Sequence, residues 1–230
     1  MSTPAPASGP LGAPPLNTSV GYLAPLLVFG VFTAVEGLLP PWLYPWVYAV
    51  KIAAVVITLK IAPQGLQRIH PSAREILPAC GVGILVFAQW ILLDKWIWYP
   101  SLGTRMGFDP FHAFHSGAAV WMFLAVRLVG LVALVPIIEE LFWRGFVLRY
   151  FTNENFESVP VGTYSTRAFW IVAAGSAATH PEWPVALIAG IAFALLLRST
   201  RSLFAVVVAH AVANAALGAY IIVTHDWRYW

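Results

Sequence analysis

The sequence predicts an all-α fold, a polytopic transmembrane bundle of seven or eight helices. Three observations carry that expectation. Of the 230 residues, 60% are hydrophobic and only 10% are charged, against roughly 25% charged in a soluble domain. Several stretches supply the ~20 apolar residues needed to cross a bilayer core of ~30 Å. Tryptophans gather near the ends of those stretches, at Trp42, Trp46, Trp96, Trp98, Trp183, Trp227 and Trp230, where an aromatic belt lies.

Taken in order, Val20–Leu39 carries one charge, Glu36, and Trp42–Leu59 carries one, Lys51. Ile76–Leu93 carries none, and neither does Leu203–Val223, although it holds His210 and Asn214. Residues 1–19 are rich in Pro, Ala, Ser and Gly and lack Lys and Arg. They are expected to form a disordered tail, because a secretory signal begins with a basic stretch. Residues 20–230 are expected to form a single domain, with no composition shift and no internal repeat. Helices are expected at about 20–39, 43–60, 75–93, 117–150, 167–180, 185–198 and 203–223.

The stretch 117–150 is long for one span, and Pro136 is expected to kink or interrupt it. It reads as an interfacial helix over 117–129 followed by a span over 131–150, or as two spans. The basic connection with Lys60, Arg68 and Arg74 and the basic turn with Arg198 and Arg201 should both face the cytoplasm. They share a side only if 117–150 crosses once, which favours seven crossings and a cytoplasmic N-terminus. Glu36 and Lys51 either pair across the first hairpin or snorkel to the interface. The single cysteine, Cys80, excludes an intrachain disulfide and a paired-cysteine metal site, and is expected in the core. The net charge of +3 forms no basic stripe, so no nucleic-acid partner is expected.

Ionisable side chains in apolar helices are costly and tend to be functional. Glu139 and Glu140 follow the apolar run Leu128–Ile138. Four residues separate Glu140 from Arg144, so the two share a helical face and can pair. Glu139 points about 100° away and lacks that partner. Two carboxylates in different environments suit a base and its support. His180 precedes Pro181, which ends a helix there. His210 and Asn214, also four apart, share one face of an otherwise apolar helix and need partners inside the bundle. A carboxylate and a histidine can activate water, and a second histidine with an amide can donate to the oxyanion of a tetrahedral intermediate. Neither a G-x-S-x-G elbow nor an H-E-x-x-H zinc signature is present.

The pattern Glu139-Glu140-x-x-x-Arg144, then His180 at a helix end, then His210-x-x-x-Asn214 resembles the CAAX protease and bacteriocin-processing enzyme family of intramembrane glutamic endopeptidases, over roughly residues 130–220. The resemblance implies a catalytic set of Glu139, His180, His210 and Asn214. In it Glu139 is the water-activating base assisted by His180, and His210 with Asn214 forms the oxyanion hole. Glu140 and Arg144 would be the supporting pair. It implies no cofactor, no metal, and a membrane-anchored peptide or protein substrate in a multi-pass protein of a bacterial inner membrane. Ser176 stands where the family's second motif has Phe. The size and the Trp98–Pro110 loop resemble a subgroup of CAAX prenyl protease-related proteins, some similar to accessories of protein-sorting systems. Three other readings remain open at the level of sequence: a zinc peptidase on Glu139, Glu140, His180 and His210, a non-catalytic scaffold, and a small proton-coupled transporter. Asp109, His112, His115 and Glu182 read as solvated loop in preference to a mouth or a gate.

Overall fold

The computed structural model describes the chain from Leu16 to Trp230, so most of the tail expected over 1–19 lies outside the described residues. The first hairpin is α1 (Leu16–Glu36) and α2 (Tyr44–Ile61). After it come α3 (Ala73–Trp96), the single turn α4 (Pro110–Ala113) and a continuous helical rod, α5 (Gly117–Thr152). The chain closes with α6 (Thr166–Ala177), α7 (Trp183–Thr200) and α8 (Leu203–Thr224). Among the described residues the regular structure is all helical, as lipid demands of a backbone that must satisfy its own hydrogen bonds.

Six of these helices, α1, α2, α3, α5, α7 and α8, are long and apolar enough to cross a bilayer. At 12 residues, α6 spans only ~18 Å. The turn at 178–182 that follows it meets the loop from the opposite end of the bundle: Leu102 N–H donates to Pro181 O at 3.2 Å. The described residues thus run seven times between the two ends of the bundle. At one end the basic connections meet, with Arg68 paired to Glu157 and Ser202 Oγ donating to Glu75 at 2.5 Å. The basic loop and the basic turn therefore share a side, as their charge requires. At the other end Asp94 takes hydrogen bonds from Tyr99 and Tyr229, and the Trp183 indole donates to Pro100 O at 3.0 Å.

Local chemistry explains the sharpest reversals. Arg201 adopts φ 54 and ends α7, and Ser202 Oγ then accepts from Ala205 N–H to open α8. α3 and α8 pack closely because a Cβ at Gly83 would collide with the Ala209 carbonyl. Glu36 and Lys51 pair at 2.6 Å, both buried, with Thr33 beside them. They join α1 to α2 rather than snorkelling. Cys80, expected in the core, is half-buried on α3.

Candidate active site

Glu139 and Glu140 lie on the α-helical segment Val135–Glu140 of α5, between π-helical turns at Val129–Leu134 and Leu141–Val147. A π-turn adds a residue to the helical ring and shifts the phase of everything after it. Val135 N–H bonds Gly130 O, five residues back. The next bond in that register would reach Leu131 O from residue 136, but Pro136 has no N–H. Asn214 Nδ2 fills the gap, donating to Leu131 O at 2.8 Å. The interruption expected at Pro136 is thus a π-turn within an unbroken rod, stapled by α8.

Glu140 is fully buried. Arg144 Nη1 lies 3.2 Å from it and His210 Nδ1 lies 2.9 Å from its Oε1. The other arm of Arg144 donates to Gly190 O at 3.1 Å. The His210 ring stacks on Phe193, 5.2 Å between centroids and 26° between planes. One carboxylate therefore ties α5, α7 and α8 together, and the sequence pairing of Glu140 with Arg144 gains a third member in His210.

Glu139 is half-buried and takes no side-chain hydrogen bond or ion pair among the described residues. His180 sits in the turn after α6, its Nδ1 2.9 Å from Ser176 O and 3.2 Å from Thr179 Oγ1. A carbonyl only accepts, so Nδ1 is the donor in that bond. The edge of Trp90 flanks the ring at 5.8 Å. α5 and α6 run antiparallel, with Val147 and Leu148 packed near Ala168 and Val172, and Trp143 against Gly175. Direct contacts thus join Glu140 to His210 and Asn214 to α5, while the side-chain contacts of His180 are with its own turn and with Trp90.

The Ser176 departure has a local cause. Ser176 is buried, and even a Cβ on Gly190 would lie 3.2 Å from its Oγ. A phenyl ring has no room where α6 and α7 approach so closely. Glu182, expected in solvent, is instead buried and held by Arg105 through two bonds of 3.0 and 2.7 Å. Of the other loop residues, Asp109 caps α4 by accepting from Phe111 N–H at 2.9 Å, and His112 and His115 are exposed. Arg105, Phe193 and Trp90 were not signalled by any motif. Among the described residues no three His, Cys, Asp or Glu side chains are grouped to hold a metal ion. An open groove of about 630 Å³ between α5 and α8 is lined only by apolar residues, including Leu128, Val132, Ala133, Ala215 and Ala219, and by none of the candidate site residues.

Residues 118–216 match the family model described as type II CAAX prenyl endopeptidase Rce1-like. The matched segment contains Glu139, Glu140, Arg144, His180, His210 and Asn214. No curated protein and no solved structure matches the chain.

Proposed function

From the match of residues 118–216 to the Rce1-like CAAX endopeptidase family model, we propose that this chain is an intramembrane glutamic endopeptidase of that family, acting on a membrane-anchored peptide or protein. The observation that carries the reading is the contrast between two adjacent carboxylates. Glu140 is buried and engaged by Arg144 and His210, whereas Glu139 is half-buried and unengaged among the described residues. An engaged carboxylate holds structure, and an unengaged one can hold a water.

In the proposed reaction Glu139 takes a proton from water as its oxygen attacks the scissile carbonyl. His180 Nε2, an acceptor, orients that water. With both ring nitrogens protonated, His210 donates Nδ1–H to Glu140 and Nε2–H to the forming oxyanion. Asn214 has a second amide hydrogen beyond the one given to Leu131 O, and this too can meet the oxyanion. Glu139 then returns its proton to the leaving amine as the C–N bond breaks.

The test is cleavage of a membrane-anchored peptide library by the purified protein in detergent. Glu139→Gln should lower the rate by about 100-fold or more, and a chelator should have no effect. Wild-type cleavage by Glu139→Gln would overturn the assignment, and loss to the chelator would move the chemistry to a metal.

A further inference from the structure

The turn that carries His180 does not stand alone. Loop 97–109, from the end of the bundle opposite the basic connections, lies across it. Leu102 N–H donates to Pro181 O at 3.2 Å, and Ser101 Oγ donates to the same carbonyl at 3.3 Å. The Trp183 indole donates to Pro100 O at 3.0 Å. Arg105 closes the strap with a bidentate pair to Glu182, through Nε at 3.0 Å and Nη2 at 2.7 Å. The loop is itself shaped for this course. Gly103 and Gly107 take φ +90 and φ +65, a region that side chains resist. Tyr99 is anchored to Asp94 at the end of α3.

Isolated surface ion pairs contribute little, but this one differs in two ways. Its carboxylate is buried, and its fork geometry fixes direction as well as distance. Pro181 and Glu182 directly follow His180, so every strap bond falls within three residues of the imidazole. Among the described residues, the imidazole is held on its other side by the carbonyl of Ser176, the Thr179 hydroxyl and the edge of Trp90. The strap lies outside the segment that matches the family model.

We propose that Arg105, acting through Glu182, is a positioning residue for His180, and that loop 97–109 fixes the orientation of its imidazole. This rests on the catalytic reading of His180 given above. Without the fork, the turn keeps its helix but loses the bonds that fix its outer side, and the ring samples orientations that do not face the water.

Two measurements test it. In the first, hydrogen exchange in detergent compares wild type with Arg105→Gln and needs no substrate. The variant should raise exchange across Thr179–Trp183 by about tenfold and leave α5 unchanged, since local opening is read directly by amide protection. Unchanged exchange at the turn overturns the proposal. In the second, cleavage kinetics use a library peptide that wild type cuts. Arg105→Gln should cut kcat by about tenfold with KM little changed, and Arg105→Lys, which keeps the charge without the fork, should recover only part of it. Placed in a His180→Ala background, Arg105→Gln should cost nothing further, because the two act as one unit. An additive loss in that background overturns the positioning role, whereas full activity of His180→Ala alone overturns the reading of His180 on which it rests.

Discussion

Glu140 is the most constrained carboxylate in the bundle, enclosed on α5 between a guanidinium and an imidazole. Removing it strands Arg144, which is itself buried, and an uncompensated buried charge costs about 3–5 kcal/mol. Glu140→Ala should therefore lower the unfolding temperature in detergent sharply, while Glu139→Gln, which breaks no contact among the described residues, should leave it within about 0.5 kcal/mol of wild type. Equal stability of the two variants would remove the distinction between support and base. The spacing of Glu140 and Arg144 made their pairing legible in the sequence, because residues four apart share a helical face. His210 joining them was not legible, since that contact bridges two helices.

At the scale of the element, α5 shows what a proline does when a neighbour supplies the missing donor. Asn214→Ala leaves Leu131 O without its partner and should cost about 1–2 kcal/mol. Adding Pro136→Ala should restore most of that loss, because residue 136 regains an N–H that can bond Leu131 O in the π register. If the second substitution gives no recovery in thermal unfolding, the stapled π-turn is the wrong description. At the opposite end of the bundle from the basic connections, Asp94 holds Tyr99 and Tyr229 together. Burial and then the Asp94 hydrogen bond push both phenols above their ordinary value. The folded state thus keeps protons that the unfolded chain releases above pH ~10. The stability from this lock is fully present below that pH and is lost as pH rises toward the raised folded values. Thermal unfolding followed from pH 8 to 11 should fall above about pH 10, and Asp94→Asn should flatten the fall.

Across the whole molecule, the seven passes place the connections at 62–72 and 153–165 at one end and loop 97–109 with residues 225–230 at the other. Single cysteines introduced in a Cys80→Ser background test this in sealed vesicles of one orientation. His70→Cys and Glu154→Cys should react with an impermeant thiol reagent from one face. Thr104→Cys and Thr224→Cys should react only from the other. Labelling of all four from the same face would refute the topology. The charge asymmetry of the loops foretold this arrangement, because Lys and Arg resist translocation. The helix expected at 167–180 is present as α6 but stops at Ala177, since hydropathy marks an apolar run and not where its helix stops.

The sequence by itself determined the solvent, the all-helical fold, and the two motifs in which residues four apart share a helical face. All of these follow from composition and from the 3.6-residue period, which act locally. Only the tertiary structure decided that Glu140 rather than Glu139 meets His210, that Asn214 completes a proline-broken π-turn, and that a distant loop braces the turn of His180. Each of those depends on which side chains neighbouring helices bring to the same depth. Helix phase, shifted here by two π-turns, and close approaches at small residues such as Gly83 and Gly190 set that depth. A one-residue shift of phase turns a side chain by about 100°, enough to exchange the roles of two adjacent glutamates.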